Sequence, residues 1–103
     1  MTLRQKQSKF ALMLANLVLK AYSLGYEVTF GDTWSKPEYK AHMDNSLHYI
    51  RLAADLNLFK DGKYLTSTED HRELGEWWES IGGSWGGRFA DGNHYSLEHN
   101  GRT

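Results

Sequence analysis

The sequence predicts a small α+β domain, in which an antiparallel sheet is covered by helices mainly on one side. Three observations support this fold class: an amphipathic stretch at the start of the chain, a central run in which apolar and polar residues alternate, and a second amphipathic stretch after an Asp-Gly turn. A chain of 103 residues suffices for one modest core, and we expect residues 1–103 to form a single domain.

The first element is a long helix, predicted over residues 3–24. Thr2 is placed to cap its amino end, and Gly25 is placed to end it. Its apolar side chains recur at steps of three and four residues, which is typical of a helix packed on a core: Phe10, Leu14, Leu17, Val18 and Ala21.

The sheet is predicted from three segments. Residues 26–30 alternate as a strand, and Gly31-Asp32 is predicted to turn the chain. A second strand is predicted up to Phe59, followed by an Asp61-Gly62 hairpin turn and a returning strand over residues 64–66. The intervening polar segment has one favourable helix start, at Pro37.

The second helix is predicted to begin at Ser67 or Thr68, either of which can act as an N-cap, and to stop at Gly82-Gly83. We expect a short final strand over residues 94–97, followed by a frayed tail. The apolar stripe of the helix follows the i, i+3, i+4, i+7 pattern: Leu74, Trp77, Trp78 and Ile81. Trp85 suits the core and a cleft equally well, and His71 is expected to be exposed.

Composition narrows the function classes. A formal net charge of −1 argues against non-specific electrostatic binding to nucleic acid, because such binding needs clustered Lys and Arg residues. No run reaches the roughly 20 apolar residues that span a bilayer, so membrane insertion is not expected. The apolar stretch near the amino terminus reads as a helix and not as a signal peptide. We therefore expect synthesis in the cytoplasm, with access to any cell-wall substrate only after release.

Two histidines and two carboxylates form a candidate metal centre. The chain has no cysteine, so any metal must be held by His and carboxylate groups. In the strand that begins near Leu52, Asp55 lies on the face opposite the apolar residues Leu56 and Leu58. With His48 and His94 it supplies the three ligands of an open zinc site, one ion per chain. Asp91 stands three residues before His94, where it can act as a general base without ligating the metal.

These residues also carry a resemblance to a known family. A pattern of six residues in order is similar to that of the D-alanyl-D-alanine carboxypeptidase family of LAS-type zinc peptidases, and most similar to small phage endolysins that cleave the L-alanyl-D-glutamate bond: Ser46, His48, Ala53, Asp55, Asp91 and His94. A glycine-rich run over residues 82–89 also resembles the family's approach to its last ligand. The similarity covers roughly residues 25–97.

The resemblance implies an α+β peptidase fold, a peptidoglycan peptide as substrate and zinc as cofactor. Asp91 would take the proton of the attacking water and pass it to the leaving amine, while Ser46 would lie near the substrate. The sequence departs from the family at two places. Arg51 occupies the position of a usual glycine, and the family's upstream arginine is absent from the Thr33–Pro37 segment. Lys36 or Arg51 is the candidate to replace that positive charge toward the oxyanion or a substrate carboxylate.

Three functions are compatible with the sequence. The first is an endopeptidase of the L-alanyl-D-glutamate type, working as a phage endolysin. The second is a D-alanyl-D-alanine carboxypeptidase or dipeptidase with the same fold. The third is an inactive metal-binding module of a phage, which the missing arginine favours. In each case we expect a monomer.

Overall fold

The computed structural model describes residues 1–33 and 47–103. Its first element, α1, spans Leu3–Ser23. The predicted cap is confirmed: the Thr2 side chain accepts a hydrogen bond from the Gln5 backbone N–H, and the Thr2 backbone N–H donates one to the Gln5 side-chain oxygen. Gly25 follows the helix with φ of +91°, a conformation that favours glycine.

Within residues 1–33 and 47–103, five strands form one sheet in which every pairing is antiparallel, as the sequence predicts. β2 is the central strand, since β1 lies along one edge of it while β5 and β3 share the other edge. β4 pairs with the outer edge of β5. The strands are β1 Glu27–Phe30, β2 Ala53–Lys60, β3 Lys63–Leu65, β4 Ser84–Trp85 and β5 His94–Ser96.

The hairpin between β2 and β3 turns where the sequence predicts. Asp61 and Gly62 both have positive φ, 53° and 78°, which is the conformation of the hairpin turn that Asp-Gly favours. The turn predicted at Gly31-Asp32 is wrong. The Gly31 N–H donates to the Asp55 carbonyl and the Asp55 N–H donates to the Asp32 carbonyl, so the chain continues alongside β2 past the end of β1.

The second helix, α2, spans Arg72–Ser80 and is preceded by a 3-10 turn over Glu69–His71. Ser67 caps this segment, because its hydroxyl accepts from the Asp70 N–H and the Asp70 carboxylate accepts from the Ser67 N–H. Thr68, the other predicted cap, makes no capping hydrogen bond; its hydroxyl instead accepts a hydrogen bond from the Gly92 N–H. Gly82 ends the helical region with φ of +100°.

The core lies between the helices and one face of the sheet. Along β2 the burial alternates: Leu56 and Leu58 are fully buried, while Asp55 and Asn57 are half-buried on the other face. The ring of Trp78 packs edge-on against that of Phe10, which joins α2 to α1. Of the described helices, none has the length and apolarity needed to cross a bilayer.

The predicted α+β class and the antiparallel sheet are therefore confirmed. The short helix predicted at Pro37 falls outside the described residues. The glycine-rich run over residues 82–89 contains β4 and a 3-10 turn over Gly86–Phe89. The tail is not entirely frayed, because His99 and Arg102 exchange backbone hydrogen bonds.

Candidate metal centre

Strand register places two of the predicted ligands side by side. Asp55 on β2 is paired directly with His94 on β5, and residues paired in this way in an antiparallel sheet project from the same face. That face lies opposite the buried Leu56. Asp55 lies on the eight-residue strand β2, in which the alternation of apolar and polar residues is visible in the sequence. The strand register that places His94 opposite Asp55 depends instead on the fold.

The third predicted ligand comes from a 3-10 turn, Leu47–Ile50, just before β2. The Leu52 N–H donates to the Leu47 carbonyl, which closes the turn. Arg51 links the turn to the strand with φ of +57°. A left-handed residue there reverses the chain tightly, and this explains physically why glycine suits the position. The reversal brings the His48 ring back to Asp55.

The three side chains converge on one carboxylate oxygen. His48 Nε2 lies 3.3 Å from Asp55 Oδ1, and His94 Nδ1 lies 3.4 Å from the same oxygen. The two imidazole rings meet edge to face, with centroids 5.3 Å apart. The site is largely shielded, because the side chains of His48, Asp55 and His94 are 2%, 21% and 14% exposed. One ligand atom from each residue lies within 4.8 Å of the others.

This spacing fits a bound metal ion. Ligand atoms about 2.0–2.1 Å from a tetrahedral zinc ion lie about 3.3 Å from one another, and both nitrogen–oxygen distances match that value. Asp55 Oδ1 is buried and accepts no hydrogen bond from the residues that the structure describes. A buried acceptor without a hydrogen bond lowers the stability of the folded chain. A cation bound between this oxygen and the two imidazoles would remove that loss of stability.

The electrostatics of the site favour the ionised carboxylate. Burial by itself raises the pKa of Asp55, but the neighbouring His48 and His94 imidazoles outweigh burial and lower the pKa to about 2. Asp55 is therefore an anion across the physiological range, as a metal ligand must be. Two neutral imidazoles and one carboxylate would leave a divalent ion with a net positive charge.

Asp91 is the first residue of the turn that precedes β5. Its carboxylate is exposed, its N–H donates to the Gly86 carbonyl, and its carbonyl accepts from the His94 N–H at 3.2 Å. A side chain at Gly86 would collide with the Asp91 carbonyl and with His94 Cβ, so the run of glycines serves close backbone approach. The turn thus fixes Asp91 beside a proposed ligand while leaving its carboxylate open to solvent.

The other residues singled out from the sequence differ in where they lie. Ser46 and Lys36 lie outside the described residues. Arg51 is exposed beside the His48 turn. The sequence was equally compatible with a core and a cleft position for Trp85. The structure places this residue in the core, where it is 1% exposed. The exposure expected for His71 is wrong: it is 2% exposed, because its ring packs inward to within 2.7 Å of the Tyr95 hydroxyl.

Sequence reasoning missed two side chains that hold the Asp91 turn. Trp85 Nε1 donates a buried hydrogen bond to the Gly92 carbonyl at 2.7 Å, and Thr68 Oγ1 accepts from the Gly92 N–H at 3.2 Å. Both backbone groups of Gly92 are therefore held by side chains distant in sequence. No local pattern marks either residue for this role, since Thr68 resembles an ordinary helix cap and Trp85 an ordinary core residue.

Comparison with known proteins supports a peptidase. Residues 39–97, more than half of the chain, match the model of a family described as D-alanyl-D-alanine carboxypeptidase. The matched region contains His48, Asp55, Asp91 and His94. No curated protein matches the chain.

Proposed function

The chain belongs to the D-alanyl-D-alanine carboxypeptidase family of peptidoglycan-acting peptidases, and on this premise we propose that it is a zinc-dependent endopeptidase of peptidoglycan stem peptides. We further propose that it cleaves the L-alanyl-D-glutamate bond and works as a phage endolysin. The order of its site residues, from Ser46 to His94, supports this finer assignment through its similarity to that group.

The observation that carries the proposal is the convergence of His48, Asp55 and His94 on one buried carboxylate oxygen. Peptidases of this family are zinc-dependent, and the three side chains offer the ligand number and types of an open catalytic zinc site. When bound there, zinc supplies Lewis-acid chemistry that polarises a carbonyl and acidifies water.

Residues of the chain other than the ligands would carry out proton transfer and substrate binding. Asp91, exposed at the entrance to β5, is proposed to accept a proton from the attacking water and to donate it to the leaving amine. Arg51, exposed beside the His48 turn, or Lys36 is proposed to supply positive charge toward the substrate. Ser46 is proposed to hydrogen-bond near the substrate or to support the His48 turn.

The proposal is tested by metal analysis combined with hydrolysis of purified cell wall. The protein should carry close to one zinc per chain, chelation should abolish wall hydrolysis, and added zinc should restore it. Mass spectrometry of the released fragments should show new amino-terminal D-glutamate. Full activity of stringently metal-free protein would refute zinc dependence.

A second candidate is a D-alanyl-D-alanine carboxypeptidase or dipeptidase, which the description of the matching family favours. Such an enzyme would release terminal D-alanine from stem peptides and leave the L-alanyl-D-glutamate bond intact. The same mass spectra separate the two activities. Zinc binding without release of any fragment would instead favour an inactive metal-binding module.

A further inference from the structure

A glutamine lies on the core-facing side of α1. Gln7 precedes Phe10 by three residues and Leu14 by seven, and this spacing places the three side chains on one side of the helix. Phe10 is buried and Leu14 packs against the core, whereas Gln7 is half-buried. A half-buried amide needs hydrogen-bond partners, because it has lost part of its contact with water. The partner of Gln7 must then come from a segment that packs against α1.

That partner belongs to the turn that carries His48. Gln7 Nε2 donates a 2.8 Å hydrogen bond to the Ile50 carbonyl oxygen, 43 residues away in sequence. Ile50 is the last residue of the 3-10 turn Leu47–Ile50, and it is half-buried against the core. Because the acceptor is a carbonyl, the amide nitrogen and not the amide oxygen must face it. This bond therefore joins α1 to the segment that supplies a proposed ligand.

The hydrogen bond acts on one peptide group of the turn. The Ile50 carbonyl and the Arg51 N–H belong to the same planar peptide group. The Arg51 N–H donates to the His48 carbonyl at 3.3 Å, while the Ile50 carbonyl accepts from Gln7. The two sides of the peptide group are thus bonded to different parts of the chain. Together these bonds set the orientation of the group and, with it, the φ of Arg51.

The φ of Arg51, +57°, makes that orientation unfavourable by itself. In this left-handed region the Cβ of any residue other than glycine crowds the backbone. Rotation of the Ile50–Arg51 peptide group, like the rotation that relates type I and type II turns, would carry Arg51 to a negative φ. The same rotation would turn the Ile50 carbonyl away from Gln7. It would also change the path by which the turn returns His48 to Asp55.

We propose that Gln7 is a positioning residue of the candidate metal centre. Its hydrogen bond holds the Ile50–Arg51 peptide group in the orientation that the His48 turn requires, against the preference of an arginine for negative φ. Without the bond, part of the metal-free chain adopts the rotated form, and the apparent affinity for zinc falls with the fraction that remains competent to bind. The inference rests on the proposed function, which supplies the zinc ion, and it adds a residue of α1 to the site.

The test compares zinc binding by Gln7→Met with zinc binding by the native chain. Methionine has a similar length and helix propensity but no hydrogen-bond donor. The zinc dissociation constant is measured by competition with a chromophoric chelator, so that no catalytic turnover is needed. Loss of one hydrogen bond should weaken zinc binding about fivefold. Asn16→Met, a similar change on the exposed side of α1, is the control and should leave the dissociation constant unchanged.

A second background separates positioning from ordinary packing. In Arg51→Gly the left-handed conformation no longer opposes the turn, because glycine adopts positive φ without crowding. In that background Gln7→Met should weaken zinc binding less than about twofold. An equal loss in both backgrounds would make Gln7 an ordinary stabilising contact, and no loss in either would remove its role, so both results overturn the proposal. If Gln7→Met does not fold, Gln7→Glu, which keeps the length but has no donor when ionised, takes its place with the same expectations.

Failure of the proposed function and failure of this inference are separable. If the native chain binds no zinc, the proposed function fails, and hydrogen exchange of the metal-free protein still decides the inference. The Arg51 amide should exchange about fivefold faster in Gln7→Met than in the native chain, while the amides of β2 keep their rates. Equal exchange at Arg51 overturns the inference. If zinc binds equally to Gln7→Met and the native chain, the function stands and the role of Gln7 is wrong.

Discussion

The indole Nε1 of Trp85 donates a 2.7 Å hydrogen bond to the carbonyl oxygen of Gly92, in the turn between the proposed base and the last proposed ligand. The bond is buried, and it joins the glycine-rich segment to the residue that follows Asp91. Because Thr68 holds the N–H of the same glycine, the position of the Asp91 backbone depends on two side chains that lie outside the proposed chemistry.

Trp85→Phe should separate this hydrogen bond from the packing of the ring. The variant keeps most of the aromatic surface but leaves the Gly92 carbonyl without its donor, which should lower the free energy of unfolding by about 1–3 kcal/mol. It should also lower kcat while retaining zinc, since the turn positions the base. Trp77→Phe, at a half-buried position on α2, is the control. Denaturant unfolding and steady-state kinetics measure both effects, and an unchanged kcat would contradict a positioning role.

His94→Ala should abolish stoichiometric zinc binding, because a site with two protein ligands holds the ion weakly. Zinc that binds the native chain also stabilises it by mass action, by about 2.7 kcal/mol at a hundredfold excess over the dissociation constant. The increase in Tm on adding zinc should therefore disappear in this variant. His99→Ala, in the carboxyl-terminal tail, should keep both the zinc and the increase. Equal zinc content in the two variants would show that the third ligand is wrong.

Asp91→Asn should retain both zinc and the fold, because an amide and a carboxylate have nearly the same shape and the Asp91 side chain is exposed. It should nevertheless lose most turnover, about 10²–10⁴-fold, since an amide cannot accept the proton of the attacking water. Zinc content and kcat are measured on the same preparation. Lost zinc would make Asp91 a ligand, and unchanged kcat would make it a turn former.

Arg51 can be tested for charge and backbone conformation separately. Its φ of +57° is unfavourable for a residue with a side chain. Arg51→Gly should therefore keep a Tm close to that of the wild type, whereas Arg51→Ala loses the charge without relieving the backbone. If Arg51 replaces the missing arginine, both variants lower kcat and Arg51→Lys largely restores it. Lys36→Ala is the parallel test, and wild-type kinetics in all of these variants would exclude both residues.

The buried His71 predicts a pH dependence of stability. Burial, opposed by Asp70, lowers its pKa from 6.5 to about 4, so between these pH values the unfolded chain binds more protons than the native chain. Its contribution to stability is complete above pH 6.5 and is lost as the pH falls toward 4, by on the order of 2–3 kcal/mol. His71→Gln should flatten this part of the curve of unfolding free energy against pH. An equally steep curve in the variant would assign the dependence to other groups.

Local patterns predicted the elements well because their signals lie within a few residues. The capping box at Thr2 and Gln5, and the positive φ of Asp61 and Gly62, are consequences of neighbouring side chains and backbone sterics. The alternation along β2 likewise assigned Asp55 to the open face. The turn expected at Gly31 failed because hydrogen bonds to the distant Asp55 outweighed the local preference of a Gly-Asp pair.

The sequence by itself predicted the fold class, through the types and periodicity of its residues, and the candidate ligand set, through an ordered pattern that resembles a known family. Only the tertiary structure decided that Asp55 and His94 are directly opposed and that His48 reaches the same oxygen. It also decided that Trp85 and Thr68 hold Gly92, and that His71 is buried. The physical reason is that strand register and side-chain burial depend on contacts between residues far apart in the chain, which no local pattern encodes.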